Sequence, residues 1–222
     1  PFDRVRPEHY IPAFEVAMRE HANEIRVIAA SREQPTFENT LAAFDRSGGM
    51  LTRIELMFSN LTASETSPAL QDVEREMAPR LAAHDNAVYL DAALFARIAS
   101  VHDRRAGIGL DAEQLQVLER IHLDFVRAGA LLPDGAKRRM AEIIESLATL
   151  TTRFSQNVLA EEKAFERGLR DERDLAGLPD LVRSAAREAA RERGHDSGWV
   201  ITLSRSLIVP FLTFSDRRDL RE

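Results

Sequence analysis

The chain has 222 residues, 44% of them hydrophobic, and a formal net charge of -6 from 30 basic and 36 acidic residues. This balance is typical of a soluble globular protein, argues against disorder and predicts no basic face for nucleic acid. The absence of cysteine excludes disulfides, thiolate zinc sites and cysteine nucleophiles, and no apolar run is long enough to cross a membrane. We therefore expect a cytoplasmic protein without nucleic-acid or membrane partners.

Apolar residues at helical spacing predict a series of helices over the first 130 residues. The first helix covers residues 7–30, and Thr36 caps a second that reaches Gly48 and Gly49. Because two glycines destabilise a helix interior, we expect a kink or a close helix crossing there. Further helices follow the capping residues Ser67, Asp91 and Asp111, and the last of them ends at Gly129.

The longest helix is predicted from about residue 134 to residue 165. Its apolar residues recur three or four apart: Met140, Ile143, Ile144, Leu147, Leu150, Phe154, Val158 and Leu159. A helix of this length reaches about 48 Å, so we expect other helices to pack along its apolar side. The predicted fold is mainly α, an elongated multi-helix bundle around this long central helix.

The pattern changes after residue 163. Short strands are predicted at 164–170 and 199–203, with an alanine-rich helix between them that ends at Gly194. An isolated two-stranded ribbon is marginal in water, so this region should be the loosest part. The predicted domains are a helical bundle over 1–163 and a small α/β extension over 164–222. A helix that begins near Ser215 has only two turns before Glu222, which indicates a fragment of a longer protein.

Several segments resemble a known family, in the same order along the chain. They are HYIPAFEVAM (9–18), PTFENTLAAFDRSGGML (35–51), SPALQDVEREMAPRLAAHD (67–85), LDAALFARI (90–98), FVRAGALL (125–132), DLAGLP (174–179) and PFLTFSDRRDLRE (210–222). The set resembles the amino-terminal region of the thimet-oligopeptidase family of zinc metallopeptidases, in its oligopeptidase A and dipeptidyl carboxypeptidase (peptidyl-dipeptidase) branch. The resemblance implies a helical, non-catalytic domain that forms one wall of a channel for short peptides, opposite a zinc-bearing catalytic domain.

The zinc motif of that family, HExxH, is absent from this sequence. No histidine lies three to five residues from another, the six being His9, His21, His84, His102, His122 and His195. We therefore expect structural histidines, with His84 and His102 bonding free carbonyls near helix ends. No catalytic or metal-binding residue is predicted, substrate-binding residues are unknown, and zinc is expected only in the parent enzyme.

Other polar groups give no chemical signature. Adjacent acids, at Glu161–Glu162 and Asp171–Glu172, point apart in a helix or turn, so solvated charge is the expected role. Trp199 is expected to anchor the packing of its strand, with a channel-lining role as the alternative.

Two functions remain open at this stage. The first is substrate gating within a peptide-hydrolysing zinc enzyme, whose catalytic domain would be this chain's covalent partner. The second is an autonomous helical scaffold or adaptor that binds a partner helix. An HExxH motif encoded beyond Glu222 would distinguish the peptidase from the adaptor.

Overall fold

The computed structural model describes residues 4–222 and confirms a mainly helical chain. The α-helices are α1 (Tyr10–Ala29), α2 (Ala43–Arg46), α3 (Gly49–Ser64), α4 (Pro68–Tyr89), α5 (Ala92–Asp103), α6 (Ala112–Ala128), α7 (Asp134–Ala164), α8 (Asp180–Glu192), α9 (Arg205–Phe214) and α10 (Arg218–Arg221). A π-helical turn, Phe37–Ala42, leads into α2. Two strands, β1 (Arg167–Leu169) and β2 (Trp199–Ile201), pair antiparallel, which confirms the predicted ribbon.

The predicted helix ends are confirmed by their caps. The side chains of Thr36, Ser67 and Asp91 each accept a hydrogen bond from the backbone amide three residues on. Asp111 and Gln114 form the capping box reciprocally. Gly129 ends α6 with φ of 104°, in the left-handed region that favours glycine. Local sequence therefore decides where these helices begin and end.

The break at Gly48 is also confirmed. Gly48 has φ of 71° and separates α2 from α3. A Cβ built on it would lie 3.2 Å from ring atoms of His21, so α1 approaches the backbone closely at this point.

Chain contacts divide the protein into two compact units, one ending at Arg153 and the other comprising Phe154–Glu222. The first unit has two apolar clusters. One packs α1, α3 and α4 around Tyr10, Phe14 and Phe58; the other includes Leu94 and Phe125, from α5 and α6. The predicted domain division between residues 163 and 164 stays a prediction.

Arg97 joins two parts of the first unit. Its side chain is only 7% exposed and donates to the backbone carbonyls of Ser31 and Glu33, and to Asn39 Oδ1 and Thr40 Oγ1. A planar guanidinium supplies several donors in fixed directions, so Arg97 ties α5 to the connection after α1. Arg104, directly after α5, adds a hydrogen bond to the carbonyl of Pro35.

The long helix α7 has the predicted bounds but a different environment. Within the described part of the chain, none of its 31 residues is fully buried. Met140, Ile144 and Leu159 are half-buried, whereas the other five residues of the predicted apolar stripe are exposed. Helix α4 borders the amino-terminal half of α7, where Asn86 donates to the carbonyl of Ala141. The expectation that other helices pack along the whole apolar side was therefore wrong.

The second unit has its own core. Leu169 and Ile201 from the ribbon pack with Val182 and Ala186 of α8 and with Phe211 of α9. The sequence analysis did not predict α9, since Pro210 lies inside it. The ribbon therefore packs against two helices rather than standing isolated in water.

No helix among residues 4–222 combines the length and the apolar character that crossing a membrane requires.

Candidate functional site

Two histidines that are 63 residues apart in sequence meet between α1 and α4. His21 Nδ1 lies 2.9 Å from His84 Nε2, and the ring centroids are 5.0 Å apart. His84 was expected to bond a free carbonyl near a helix end, but α4 continues to Tyr89 and His84 bonds His21 instead. Residue spacing gave no signal for this pair, because α1 and α4 meet only in the folded chain.

The surrounding hydrogen bonds assign the tautomers of the pair. Ser47 Oγ donates to the carbonyl of Phe44 at 2.6 Å, so at 3.3 Å it accepts from His21 Nε2. His21 Nδ1 is then the acceptor, and the proton between the two rings belongs to His84 Nε2. Protonating both rings would place two N–H groups face to face, so this link cannot hold two charged imidazoles.

Carboxylates lie close to the histidine pair. Glu24 Oε2 accepts from the backbone amide of Gly48 at 2.7 Å. Burial, and then the charge of His84, lowers the pKa of His21, while Glu24 acts in the opposite direction. Burial also lowers the pKa of His84, although the charge of Asp85 acts to raise it. Burial raises the pKa of the two carboxyl groups of Asp85 and Glu55. The interior here therefore favours uncharged side chains.

A second pair of histidines stacks between α5 and α6. The rings of His102 and His122 are 3.9 Å apart and nearly parallel, with an interplanar angle of 6°. His122 also stacks on Phe95, at 5.6 Å. Burial and the charge of His102 lower the pKa of His122. His122 is half-buried and takes part in the packing between α5 and α6.

These side chains do not fit a zinc centre. Zinc sites in proteins use three or four nitrogen, sulfur or oxygen ligands that converge on one point. Among residues 4–222, the structure brings together no group of three or more histidine, cysteine, aspartate or glutamate side chains able to hold a metal. Within that described range, each histidine pair offers two imidazoles without a third ligand.

An apolar groove of about 460 Å³ adjoins His84. Most of its lining residues are alanines or apolar: Ala22, Ile25, Ala29, Ala30, Ala87, Val88 and Ala93, with Arg26 and Asp91 as charged neighbours. The volume falls within the range of small-ligand pockets. Small side chains on both helices leave this space open. We call this feature the α1/α4 groove.

The second unit has a polar cavity beside its tryptophan. The cavity is about 750 Å³ and is lined by Arg170, Arg187, Gly194, His195, Asp196, Ser197, Gly198 and Trp199. The guanidinium of Arg187 lies 5.0 Å from the Trp199 ring centroid, in cation–π geometry. Trp199 is half-buried and packs against the apolar cluster of this unit, as expected of a packing anchor, and it also lines the cavity.

The remaining polar residues that the sequence analysis considered are not brought together. Glu161 and Glu162 are exposed on α7, and Asp171 caps a short helical turn by accepting from the amide of Arg173. Near the end of the chain, Arg217 pairs with Asp174 and Asp219. These groups stabilise local structure.

Comparison with known proteins gives relatives over the full length of the chain. The chain is 38% identical to the dipeptidyl carboxypeptidase of Escherichia coli over 221 residues. It is 27% identical to oligopeptidase A of Salmonella typhimurium over 222 residues. It is 22% identical to a probable cytosolic oligopeptidase A of Arabidopsis thaliana over 228 residues. No protein-family model matches the chain.

Each of these matches includes the whole of this chain and 32% of the relative. The chain therefore spans about a third of the length of the peptidases that it matches. The resemblance stated from the sequence is confirmed: this chain is similar throughout its length to one third of dipeptidyl carboxypeptidase and of oligopeptidase A.

Proposed function

We propose that this chain is the amino-terminal, non-catalytic domain of a zinc-dependent oligopeptidase or peptidyl-dipeptidase, and that it forms one wall of a channel for short peptides. The observation that carries the proposal is the similarity of the whole chain to about a third of several peptidases, at 38% identity for the Escherichia coli dipeptidyl carboxypeptidase. A third of such an enzyme is large enough to be a separate domain.

The proposal assigns peptide hydrolysis to residues outside this chain. The sequence has no HExxH motif. Within each pair the two histidines contact one another, His21 with His84 and His102 with His122. Neither pair has a third ligand among the described residues. In the proposed enzyme, zinc belongs to the catalytic domain, and this chain contributes shape and contacts.

The physical role of the wall is exclusion. A channel between two domains admits an extended peptide, whereas a folded protein cannot present its backbone to a metal inside. Closure of the domains would also remove water from around the scissile bond. The α1/α4 groove suits an apolar side chain of such a peptide, because alanines line it and charged residues stand beside it.

The test of the wall role uses the longer polypeptide that contains this chain. One substrate is a nine-residue fluorogenic peptide, and the other carries the same nine residues in a surface loop of a folded protein. We expect the peptide to be cleaved and the folded substrate to resist. A matched enzyme that lacks residues 1–222 should lose this discrimination, and adding the separate 222-residue chain should restore it. Equal discrimination with and without the chain would contradict the proposal.

An autonomous helical adaptor is the second candidate function. The observation that favours it is the exposed apolar side of α7, since adaptors bind partner helices through such surfaces. The coding sequence distinguishes the two candidates. An HExxH motif downstream, followed by a further glutamate ligand, supports the peptidase, and a stop codon directly after Glu222 supports the adaptor.

A further inference from the structure

Five large apolar side chains of α7 form a continuous exposed surface, which we call the α7 stripe. They are Ile143, Leu147, Leu150, Phe154 and Val158, and each is 40–69% exposed. At 3.6 residues per turn they fall within an arc of about 80° and extend over about 22 Å of helix. Single exposed apolar residues are normal, but five that are aligned on one helix form a contact surface.

The stripe has the anatomy of an interface. Polar residues border one edge, among them Glu142, Ser146 and Arg153. The other edge leads to Ile144, which is half-buried. An apolar centre with a polar border is the arrangement found in protein interfaces. Leaving five such side chains partly exposed to water forgoes the stabilisation that their burial would give.

The spacing of the stripe favours a helix as its partner. Its residues are four, three, four and four positions apart, which is close to the repeat by which two helices interlock their side chains. The edge of a β-sheet is not a suitable partner, because it pairs with free backbone N–H and C=O groups. Those groups of α7 are already hydrogen-bonded within the helix.

The size of the stripe favours an intramolecular partner over a second copy of the chain. Five side chains of this type expose on the order of 500 Å². A stable interface between separate molecules buries about 800 Å² on each side. A segment of the same polypeptide does not lose translational freedom when it docks, so a smaller area suffices.

We propose that the α7 stripe is the docking surface for an amphipathic helix from the part of the enzyme that this chain does not include. This inference rests on the proposed function, because it takes the occupant from the two thirds of the relatives' length that have no counterpart here. The stripe then fixes the non-catalytic domain to the catalytic one.

The test uses the absence of cysteine from this chain. Leu147→Cys places a thiol on the stripe, and Ser155→Cys places one on another exposed face of the same helix as the matched control. Maleimide labelling is followed at each site by mass spectrometry, in the separate chain and in the longer polypeptide. We expect both sites to label at similar rates in the separate chain. In the longer polypeptide, Leu147→Cys should label at least tenfold more slowly, whereas Ser155→Cys should be unchanged.

A photo-crosslinker attached to Leu147→Cys identifies the occupant. Crosslinks to a helical segment outside residues 1–222 support the proposal. Crosslinks between two copies, or to another segment of this chain, would overturn it, as would fast labelling of Leu147→Cys in the longer polypeptide. Peptide hydrolysis is measured on the same samples. Protection of the stripe without hydrolysis would refute the proposed function alone, and hydrolysis without protection would refute this inference alone.

Discussion

Gly177 is the residue at which backbone geometry is most demanding. Its φ is +83°, and a Cβ built on it would lie 2.2 Å from the carbonyl oxygen of Phe214. Both the left-handed conformation and the contact with backbone exclude a side chain. We predict that Gly177→Ala lowers the free energy of unfolding of the second unit by about 2–4 kcal/mol, measured by urea denaturation.

The matched control is Gly194→Ala in the same unit. Gly194 has a similar φ of +79°, but apart from its chain neighbours no described atom lies within 4 Å of a Cβ built on it. This substitution should cost only the conformational strain, about 1 kcal/mol. Equal losses for the two variants would show that the close approach of Phe214 does not matter.

The histidine pair between α1 and α4 predicts a dependence of stability on pH. The pKa of His21 and the pKa of His84 are lowered in the folded state, chiefly by burial. The unfolded chain, with imidazole pKa near 6.5, therefore takes up protons first as the pH falls. The free energy of unfolding of the first unit should decrease from about pH 7.5 to about pH 5.5.

Variants test which histidines cause this decrease. His84→Gln should make the decrease smaller, because one imidazole of the pair is removed. His9→Gln, on the exposed turn before α1, should leave it unchanged. Asp85 and Glu55 act in the opposite direction at the acid end, since their raised pKa makes the folded state bind protons before the unfolded chain does. An unchanged pH dependence in His84→Gln would contradict the assignment.

Sequence alone predicts a residue's role when its partner is near in the chain. The caps at Thr36 and Asp111 bond three residues away, so their roles could be predicted. The contact between His21 and His84 depends on how α1 and α4 cross. No spacing rule contains that information, and the α1/α4 groove was missed for the same reason.

At the scale of elements, Arg97 is the connection that we expect to matter most. It holds the segment after α1 against α5 through four hydrogen bonds. We predict that Arg97→Met lowers the free energy of unfolding by about 2–4 kcal/mol, because the buried Thr40 hydroxyl and three partly buried acceptors lose their donor. Thermal or urea denaturation of the first unit measures this loss.

Two further variants define the cause. Arg97→Lys keeps the charge but cannot supply donors in the same directions, so it should rescue little of the stability. Arg105→Met, at an exposed position just after α5, should change the free energy of unfolding by less than about 0.5 kcal/mol. Full rescue by lysine would show that charge, rather than the hydrogen bonds, is what the site requires.

Two elements show the limits of periodicity. The spacing in α7 correctly identified an apolar stripe, but periodicity does not reveal what covers a stripe, and this one is exposed. Helix α9 was missed because Pro210 lies in its middle and argues against a helix from sequence. Burial of Leu207 and Phe211 in the second core outweighs that preference.

At the scale of the whole molecule, residues 164–222, which lie in the second unit, should have lower local stability than the helices before them. The second unit rests on one small apolar cluster and a ribbon of two three-residue strands, whereas the first contains two clusters. We predict that amide protons of residues 164–222 exchange faster than those in the helices of residues 7–163, as measured by hydrogen exchange with mass spectrometry. Uniform protection across both ranges would contradict this.

Hydrolysis by the separate 222-residue chain tests the central claim most directly. The chain is incubated with zinc and the short fluorogenic peptide, beside the longer polypeptide that contains it, and bound metal is quantified in both. The account predicts that the separate chain retains no stoichiometric zinc and does not cleave the peptide, while the longer polypeptide does both. Zinc-dependent cleavage by the separate chain, abolished by a chelator and restored by zinc, would contradict the account.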